Sequence, residues 1–346
     1  MTSDNAQADQ VIAIVGATGA VGVALLECLE KHGFENASVR LLASARSAGT
    51  VMSFCGRDLI VEELTEASFA GVTIALFSAG ASISRRFAPL AVAAGALVID
   101  NSSAFRMDEN VPLVVPEVNP DALAGHQGII ANPNCVAAIL TVALAPLHRT
   151  WPIKRIFAAT YQSASGAGAA AMQELRHATA AYLADQPFEP SVLPHPYAFN
   201  LFSHNADIDP ANGYNGEELK VIAETRRILG SDAMPISITC IRVPVLRAHS
   251  IALTVEFDQP VSPDAARDIL SQAPGLRIVD DAAANHYPMP CEASGEDDVL
   301  VGRIRSDLGD PTGKSLALFV SGDQLLKGAA LNAVQIAARM VGAARC

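Results

Sequence analysis

No run of 18 apolar residues occurs in this 346-residue chain, so nothing in it reads as a membrane-spanning helix. The six cysteines (Cys28, Cys55, Cys135, Cys240, Cys291, Cys346) include no C-x-x-C pair. The opening MTSDNAQADQ is polar and acidic, unlike a signal or transit peptide. Together these argue against a disulfide framework and predict free thiols in a reducing, cytoplasmic setting, with no metal expected. Cations are scarce: 24 Lys+Arg stand against 36 Asp+Glu, a net charge of −12. Such a surface repels nucleic acid and anionic membranes, so any anion handled here needs a local concentration of cations. Internal repeats and low-complexity tracts are missing as well. Half of the residues are hydrophobic, enough for substantial cores, and at about 150 residues per domain the length predicts two domains.

Short apolar runs at 10–15, 39–43, 73–77, 97–100, 113–115 and 129–131 read as buried strands, with helical patterns from the glycine loop to Lys31 and over 82–94. This alternation predicts a mostly parallel sheet covered on both faces over about the first 134 residues. Longer strands follow at 153–164, 235–245, 247–257, 300–306 and 315–321, many of them antiparallel. Helices are predicted at 135–149, 167–184, 216–229 and 262–271. Five prolines fall within 186–215, marking a long loop or an embellishment. The Ala-rich stretch 325–344 has helical spacing.

The first strand runs into Gly16-Ala17-Thr18-Gly19-Ala20-Val21-Gly22, and then into a helix. Small residues at such a turn let the backbone approach a pyrophosphate, which the free N–H groups and dipole of the helix start stabilise. The spacing is G-x-x-G-x-x-G. An NAD site usually places an acid after the second strand, yet residues 36–57 contain no Asp or Glu. That strand leads instead into Ser44-Ala45-Arg46-Ser47, a cation between hydroxyls suited to a 2′-phosphate. NADP is therefore favoured over NAD.

Asn132-Pro133-Asn134-Cys135 precedes a helical run, with Asn134 placed to cap it. In a first helical turn the dipole and orphan N–H groups favour thiolate, which brings a thiol from ~8.5 into the ~3.5–7.5 range. Cys135 is the nucleophile candidate. A thiolate beside a nicotinamide points to attack on an acyl carbonyl and hydride exchange at a thioester carbon.

The motifs then accumulate into one set: GATGAVG (16–22), LASARSAG (42–49), SAGASIS (78–84), DNSSAFRM (100–107), VVPEVN (114–119), ANPNC (131–135), TYQSASGAG (160–168), GYNGEELK (213–220), ETRRIL (224–229), IRVPVLRAHS (241–250), VGRIRSD (301–307) and KGAALNAVQIA (327–337). In this order the chain resembles aspartate-β-semialdehyde dehydrogenases from Val11 to Ala338. The resemblance implies an α/β fold with a Rossmann-type NADP-binding domain (1–134 and 325–346). It implies a catalytic and dimerisation domain with a mixed or antiparallel sheet (135–324). It also implies a homodimer, with a tetramer left open, and a small-molecule substrate. The implied reaction is NADPH-dependent reductive dephosphorylation of L-β-aspartyl phosphate, on the route to lysine, methionine and threonine.

The resemblance also implies roles. Cys135 is the acylated nucleophile, Gln162 orients the thioester, and His249 is the acid/base, where an ordinary imidazole near ~6.5 suits neutral pH. Arg106 and Lys220 bind phosphate, with Asn101 and Ser102 beside them. Arg242 clamps the α-carboxylate and Glu217 meets the α-amino group. Ser78, Ser165 and Gly166 lie near the cofactor with the glycine loop. Each of these has a plainer reading: Glu217 and Lys220, three apart on one helix, could be a surface pair. Three positions depart from the family pattern: Val136-Ala137 replaces the usual Ser-Thr, Ile251 a common glutamate, and SGDQLLKG (321–328) the usual SDNLRKG. The rival readings are an N-acetylglutamyl-phosphate reductase-like enzyme, whose acetylated substrate has no ammonium for Glu217, and a non-catalytic NADP-binding regulatory protein.

Overall fold

The computed structural model describes residues 10–342, which divide into two compact units: 10–134 with 329–342, and 135–328. The returning segment joins the first unit at Ala329 rather than at 325.

In the first unit β1 (Val11–Val15) leads into α1 (Ala20–Lys31) and β2 (Ser38–Ala43). A hairpin of β3 (Val51–Phe54) and β4 (Arg57–Ile60) follows, then the two-residue β5 (Glu62–Glu63). Next come β6 (Ile74–Phe77), α2 (Ala81–Ala93), β7 (Leu97–Asp100) and β8 (Ile129–Ala131). The strand order is β5-β2-β1-β6-β7-β8, all parallel. Both β1 and β6 are apolar throughout and almost wholly buried, as a sheet covered on both faces requires. Phe69, Phe77 and Phe87 pack together on one face, with ring centroids 6.0 and 6.5 Å apart. The chain leaves β1 toward β2 on one side and later returns to β6 on the other. The carboxyl end of β1 is thus a topological switch point, where open α/β sheets bind ligands.

The second unit opens with α3 (Cys135–Thr150), a helix buried nearly all round, which explains its continuous apolar sequence. It continues through β9 (Ile153–Gln162), α4 (Ala169–Leu183), β10 (Phe202–Ser203), α5 (Gly216–Leu229), β11 (Ile236–Arg242), β12 (His249–Phe257), α6 (Pro263–Ser271), β13 (Leu276–Ile278), β14 (Val299–Ser306) and β15 (Ser315–Gly322). The order is β10-β11-β9-β12-β15-β14-β13. Parallel pairs β11/β9 and β14/β13 flank an antiparallel centre. Burial alternates along β9, β11 and β12, so one face of the sheet is packed and the other carries exposed Phe157 and Tyr161. The last helix, α7 (Leu331–Met340), belongs to the first unit.

Two expectations are corrected. Residues 113–115 make a single bridge, Leu113 to Ala131, and no strand. Pro112 and Pro116 bracket the segment and lack the N–H a ladder needs. The predicted helix at 325–344 begins as a π-helical turn, Leu326–Ala330, before α7; residues 343–344 lie outside the described residues. The wider turn carries Gly328 against Cys135, where an added Cβ would lie 2.8 Å from the cysteine Cβ.

Candidate active site

In the first unit the glycine loop is shaped by close approach. Gly16 has φ +89°, and a Cβ there would meet the backbone of Ser78 and Ala79 at 3.0–3.1 Å. A Cβ on Gly22 would collide with the carbonyl oxygens of Gly16 and Ala17. Helix α1 therefore starts directly on the loop. Gly19 occupies its N-cap position without a side-chain cap, and Thr18 and Gly19 are exposed. The N–H groups of Ala20, Val21 and Gly22 open the helix, where no preceding turn supplies them acceptors. Thr18 Oγ1 donates to Ser47 Oγ at 3.3 Å, joining this loop to the turn Ser44–Ser47, which the Ser47 N–H closes on the Ser44 carbonyl at 2.8 Å. Arg46 is exposed on that turn, and no carboxylate pairs with it among the described residues. Ser78 Oγ donates to the Val15 carbonyl at 3.1 Å, so its proton is spent on the end of β1.

Arg106, expected as a phosphate cation, is buried. Its Nε donates to the Asn132 carbonyl at 2.9 Å and its Nη2 to the Asn101 carbonyl at 2.7 Å. Asn101 Nδ2 is bound to the Phe77 carbonyl and its Oδ1 accepts from Asn132 Nδ2 at 2.7 Å. Ser102 Oγ donates to buried Asp100 at 2.7 Å and is tied up in that pair.

In the second unit α5 starts with a capping box. Asn215 Oδ1 accepts from the N–H groups of Glu217 and Glu218, while Glu218 accepts from the Asn215 N–H at 2.9 Å. The box turns Glu217 inward, where it accepts from Gln162 Nε2 at 3.3 Å, and leaves Lys220 exposed. Lys220 forms no ion pair among the described residues, so the plainer reading of a Glu217–Lys220 surface pair fails. Thr160 Oγ1 donates to Gln162 Oε1 at 3.0 Å, fixing the amide.

His249 is fully buried. The Ser163 N–H donates to its Nδ1 at 3.0 Å, which requires a lone pair on Nδ1 and puts the proton on Nε2. That Nε2 has no protein partner. Burial, then the charge of Arg242 and the proximity of His204, hold this imidazole well below 6.5. The expected ordinary titration near neutrality is therefore corrected: His249 is a neutral donor. The residue before it, Ala248, sits at φ +69°, and its N–H donates to Gln324 Oε1 at 2.8 Å. Gln324 also accepts from Ser163 Oγ at 3.3 Å and donates to Ser165 Oγ. Asp323 anchors this segment through Arg247 at 2.6 Å.

Arg242 is 4% exposed, and its hydrogen-bond partners are all neutral: Asn205 Oδ1 at 3.3 Å, the Ser163 carbonyl at 3.3 Å and His204 Nε2 at 2.8 Å. A Cβ on Gly166 would lie 3.0 Å from His249 Nε2 and 3.3 Å from Arg242 Nη1. The missing side chain thus leaves one place that both a guanidinium N–H and an imidazole N–H can reach. Cys135, partly exposed at the start of α3, is linked to the same cluster through Gly328 and Gln324. The neighbouring thiol of Cys240 is buried, which pushes it up and keeps it protonated.

Gln162, Glu217, Ser165, Gly166, Arg242, His249 and Cys135 thus belong to one unit, and the glycine loop, Ser44, Arg46, Ser47, Ser78, Asn101 and Arg106 to the other. Ser163, His204, Asn205, Gln324 and Gly328 were missed. Three had a signal: Ser163 lies in the motif TYQSASGAG, and Gln324 and Gly328 lie in the segment SGDQLLKG that departs from the family pattern.

Residues 11–126 match the family described as semialdehyde dehydrogenase, NAD binding domain, and residues 144–327 match semialdehyde dehydrogenase, dimerisation domain. The aspartate-semialdehyde dehydrogenase of Synechocystis sp. is 52% identical over 330 residues, covering 95% of this chain and 97% of that one. That of Bacillus subtilis is 46% identical over 334 residues, covering 94% and 96%. A crystal structure of aspartate semialdehyde dehydrogenase II from Vibrio cholerae, complexed with ASA, matches with a TM-score of 0.93 at 41% identity, covering 96% of this chain and 98% of that one. This chain belongs to the aspartate-semialdehyde dehydrogenase family.

Proposed function

We propose that the protein is an NADP-dependent aspartate-semialdehyde dehydrogenase of aspartate-family amino-acid biosynthesis, interconverting L-β-aspartyl phosphate and L-aspartate-β-semialdehyde plus phosphate. The observation that carries this reading is a buried guanidinium with only neutral partners beside an unpartnered His249 Nε2–H, around the space that Gly166 leaves. A buried cation without an acid needs an anionic ligand, and the substrate α-carboxylate supplies one.

Cys135 Sγ attacks the acyl carbon. The C–S bond forms, the bond to the phosphate oxygen breaks, and phosphate leaves with the electron pair. Arg106 and Lys220 supply cations to that phosphate, and Asn101 belongs to the hydrogen-bonded frame of Arg106. Gln162 orients the acyl oxygen, with Glu217 for the substrate ammonium. Bound nicotinamide supplies hydride exchange at the acyl carbon. His249 then acts through its Nε2–H, stabilising the oxygen of the tetrahedral adduct on Cys135, which collapses by expelling thiolate. A neutral donor suits this role, since the collapse itself needs no acid. Ser165 and Gly166 shape the wall of this space.

The glycine loop (Gly16, Thr18, Gly19, Ala20, Val21, Gly22) fits a dinucleotide pyrophosphate. Ser44, Arg46 and Ser47 fit a 2′-phosphate, with Ser78 closing the loop from behind. Replacing Arg46 with leucine is expected to raise KM for NADP about 10- to 100-fold, the worth of a charge-assisted hydrogen bond, and to leave KM for NAD unchanged. Equal effects on both would remove Arg46 from the cofactor site. The reading as a whole is tested by phosphate-dependent NADP reduction with the semialdehyde, run beside N-acetylglutamate semialdehyde. The names of the relatives do not favour the second substrate.

The matched dimerisation domain supports a homodimer, and the open sheet face supports a docking surface for the second copy. Tyr161 and Phe319 pair there with ring centroids 6.1 Å apart, and Arg155 lies over the Phe157 ring at 4.3 Å. Sedimentation velocity is expected to give a mass of two chains, and replacing Tyr161 with arginine to shift it toward one. A wild-type monomer would overturn the dimer.

A further inference from the structure

Arginine presents five N–H groups. In Arg242 three are taken: Nε–H by Asn205 Oδ1, one Nη1–H by the Ser163 carbonyl and one Nη2–H by His204 Nε2. Two N–H groups remain, one on each terminal nitrogen, the number a bidentate carboxylate takes. None of the three acceptors carries a negative charge. An aspartate or glutamate in their place would bind more tightly but would cancel the charge that the ligand must find.

We propose that His204, on the segment that follows β10, is a positioning residue for the substrate carboxylate: it fixes the Arg242 guanidinium by a neutral acceptor while leaving the free ends and the full charge of the fork to the ligand. This rests on reading Arg242 as the carboxylate clamp. Arg242 Nη2, which can only donate, lies 2.8 Å from His204 Nε2, so that nitrogen carries the lone pair and the single proton of the neutral ring sits on Nδ1, 3.2 Å from the Ala206 nitrogen. A second proton would have to sit on Nε2 and would point at the Arg242 guanidinium, removing the acceptor. The charged groups around it act mostly in the same direction. Burial, Arg242 on β11 and Lys220 on α5 lower its affinity for a proton, Glu217 on α5 partly offsets them, and the imidazole is pushed down to about 4. His249 on β12 is the other titratable neighbour and is itself neutral. Histidine here supplies what an acid would not: a half-buried acceptor that stays uncharged.

The test compares wild type, His204→Leu and His204→Gln in steady-state oxidation of L-aspartate-β-semialdehyde with NADP and phosphate, with propanal as an aldehyde lacking both carboxylate and ammonium. In His204→Leu, KM for the semialdehyde is expected to rise about 10- to 100-fold, the loss of a hydrogen bond to a charged group, with kcat within about 3-fold. The KM values for phosphate and NADP, and kcat/KM for propanal, are expected to stay at wild-type levels. His204→Gln, whose Oε1 is a neutral acceptor, is expected to recover most of the semialdehyde affinity. An unchanged KM in His204→Leu, an equal loss on propanal, or a glutamine variant no better than leucine would each overturn the proposal. If His204→Leu does not fold, a glutamine variant whose semialdehyde KM stays near wild type supports the proposal, and one with a leucine-sized rise overturns it. A wild type that does not oxidise the semialdehyde would instead defeat the assignment of function on which the proposal rests.

Discussion

Replacing Cys135 with alanine is expected to lower turnover of the semialdehyde by about 10⁴-fold or more, the scale on which loss of a nucleophile acts. Among the other described thiols, Cys291 is exposed on the four-residue helix Pro290–Ala293 and makes no hydrogen bond to Gln162, Arg242 or His249. Cys28 and Cys240 are buried, and burial pushes Cys240 further toward the inert thiol. Cys55 is exposed in a hairpin of the first unit, where partial burial and the Glu30 carboxylate raise it. Cys135 alone combines partial exposure with the first position of a helix whose body is buried in the core of its unit. Intact-protein mass spectrometry after mixing with β-aspartyl phosphate is expected to show an acyl adduct on wild type and none on the variant. Normal turnover by Cys135→Ala would remove the covalent step.

Replacing Arg242 with leucine is expected to cut kcat/KM for the semialdehyde roughly 30- to 5,000-fold, about 2–5 kcal/mol for one partner of a buried charge pair. Folding stability is expected to fall far less, because leucine also removes the cost of a buried charge that has no acid beside it. Lysine is expected to rescue little, since a point charge lacks the fork that meets both carboxylate oxygens. Thermal unfolding and kinetics on the same samples separate the two effects. A loss of stability as large as the loss of activity would mean that Arg242 holds the fold rather than the substrate.

What was legible in the sequence is chemistry carried by neighbours along the chain. The glycine loop and the Asn134-Cys135 helix start each span a few residues, and each forms where the local pattern puts it. The β3–β4 hairpin escaped notice because its turn is Cys55-Gly56, both at positive φ (48° and 72°), where asparagine or aspartate before the glycine would have signalled it. The π-helical turn escaped because Ala-rich periodicity does not distinguish one extra residue per turn. Most of the support around the site was invisible for another reason. Gln324 meets Ser163 and Ala248, and His204 meets Arg242, across long separations in sequence. The neutrality of His249 likewise comes from burial, which belongs to the tertiary structure and not to the motif A-H-S.

The interrupted course of the first unit has a consequence for biosynthesis on the ribosome. Residues 135–328 are contiguous, so the second unit has all of its chain before the first does. The first unit emerges earliest yet waits for α7, whose Leu331, Val334 and Ile336 are buried and whose Asn332 Nδ2 donates to the Val114 carbonyl at 2.9 Å and to Asn132. Its nascent sheet therefore spends the synthesis of nearly two hundred residues with an apolar surface that only the end of the chain covers. A chain ending just before Ala329 would carry every proposed catalytic side chain yet lack the helix that packs on the first unit.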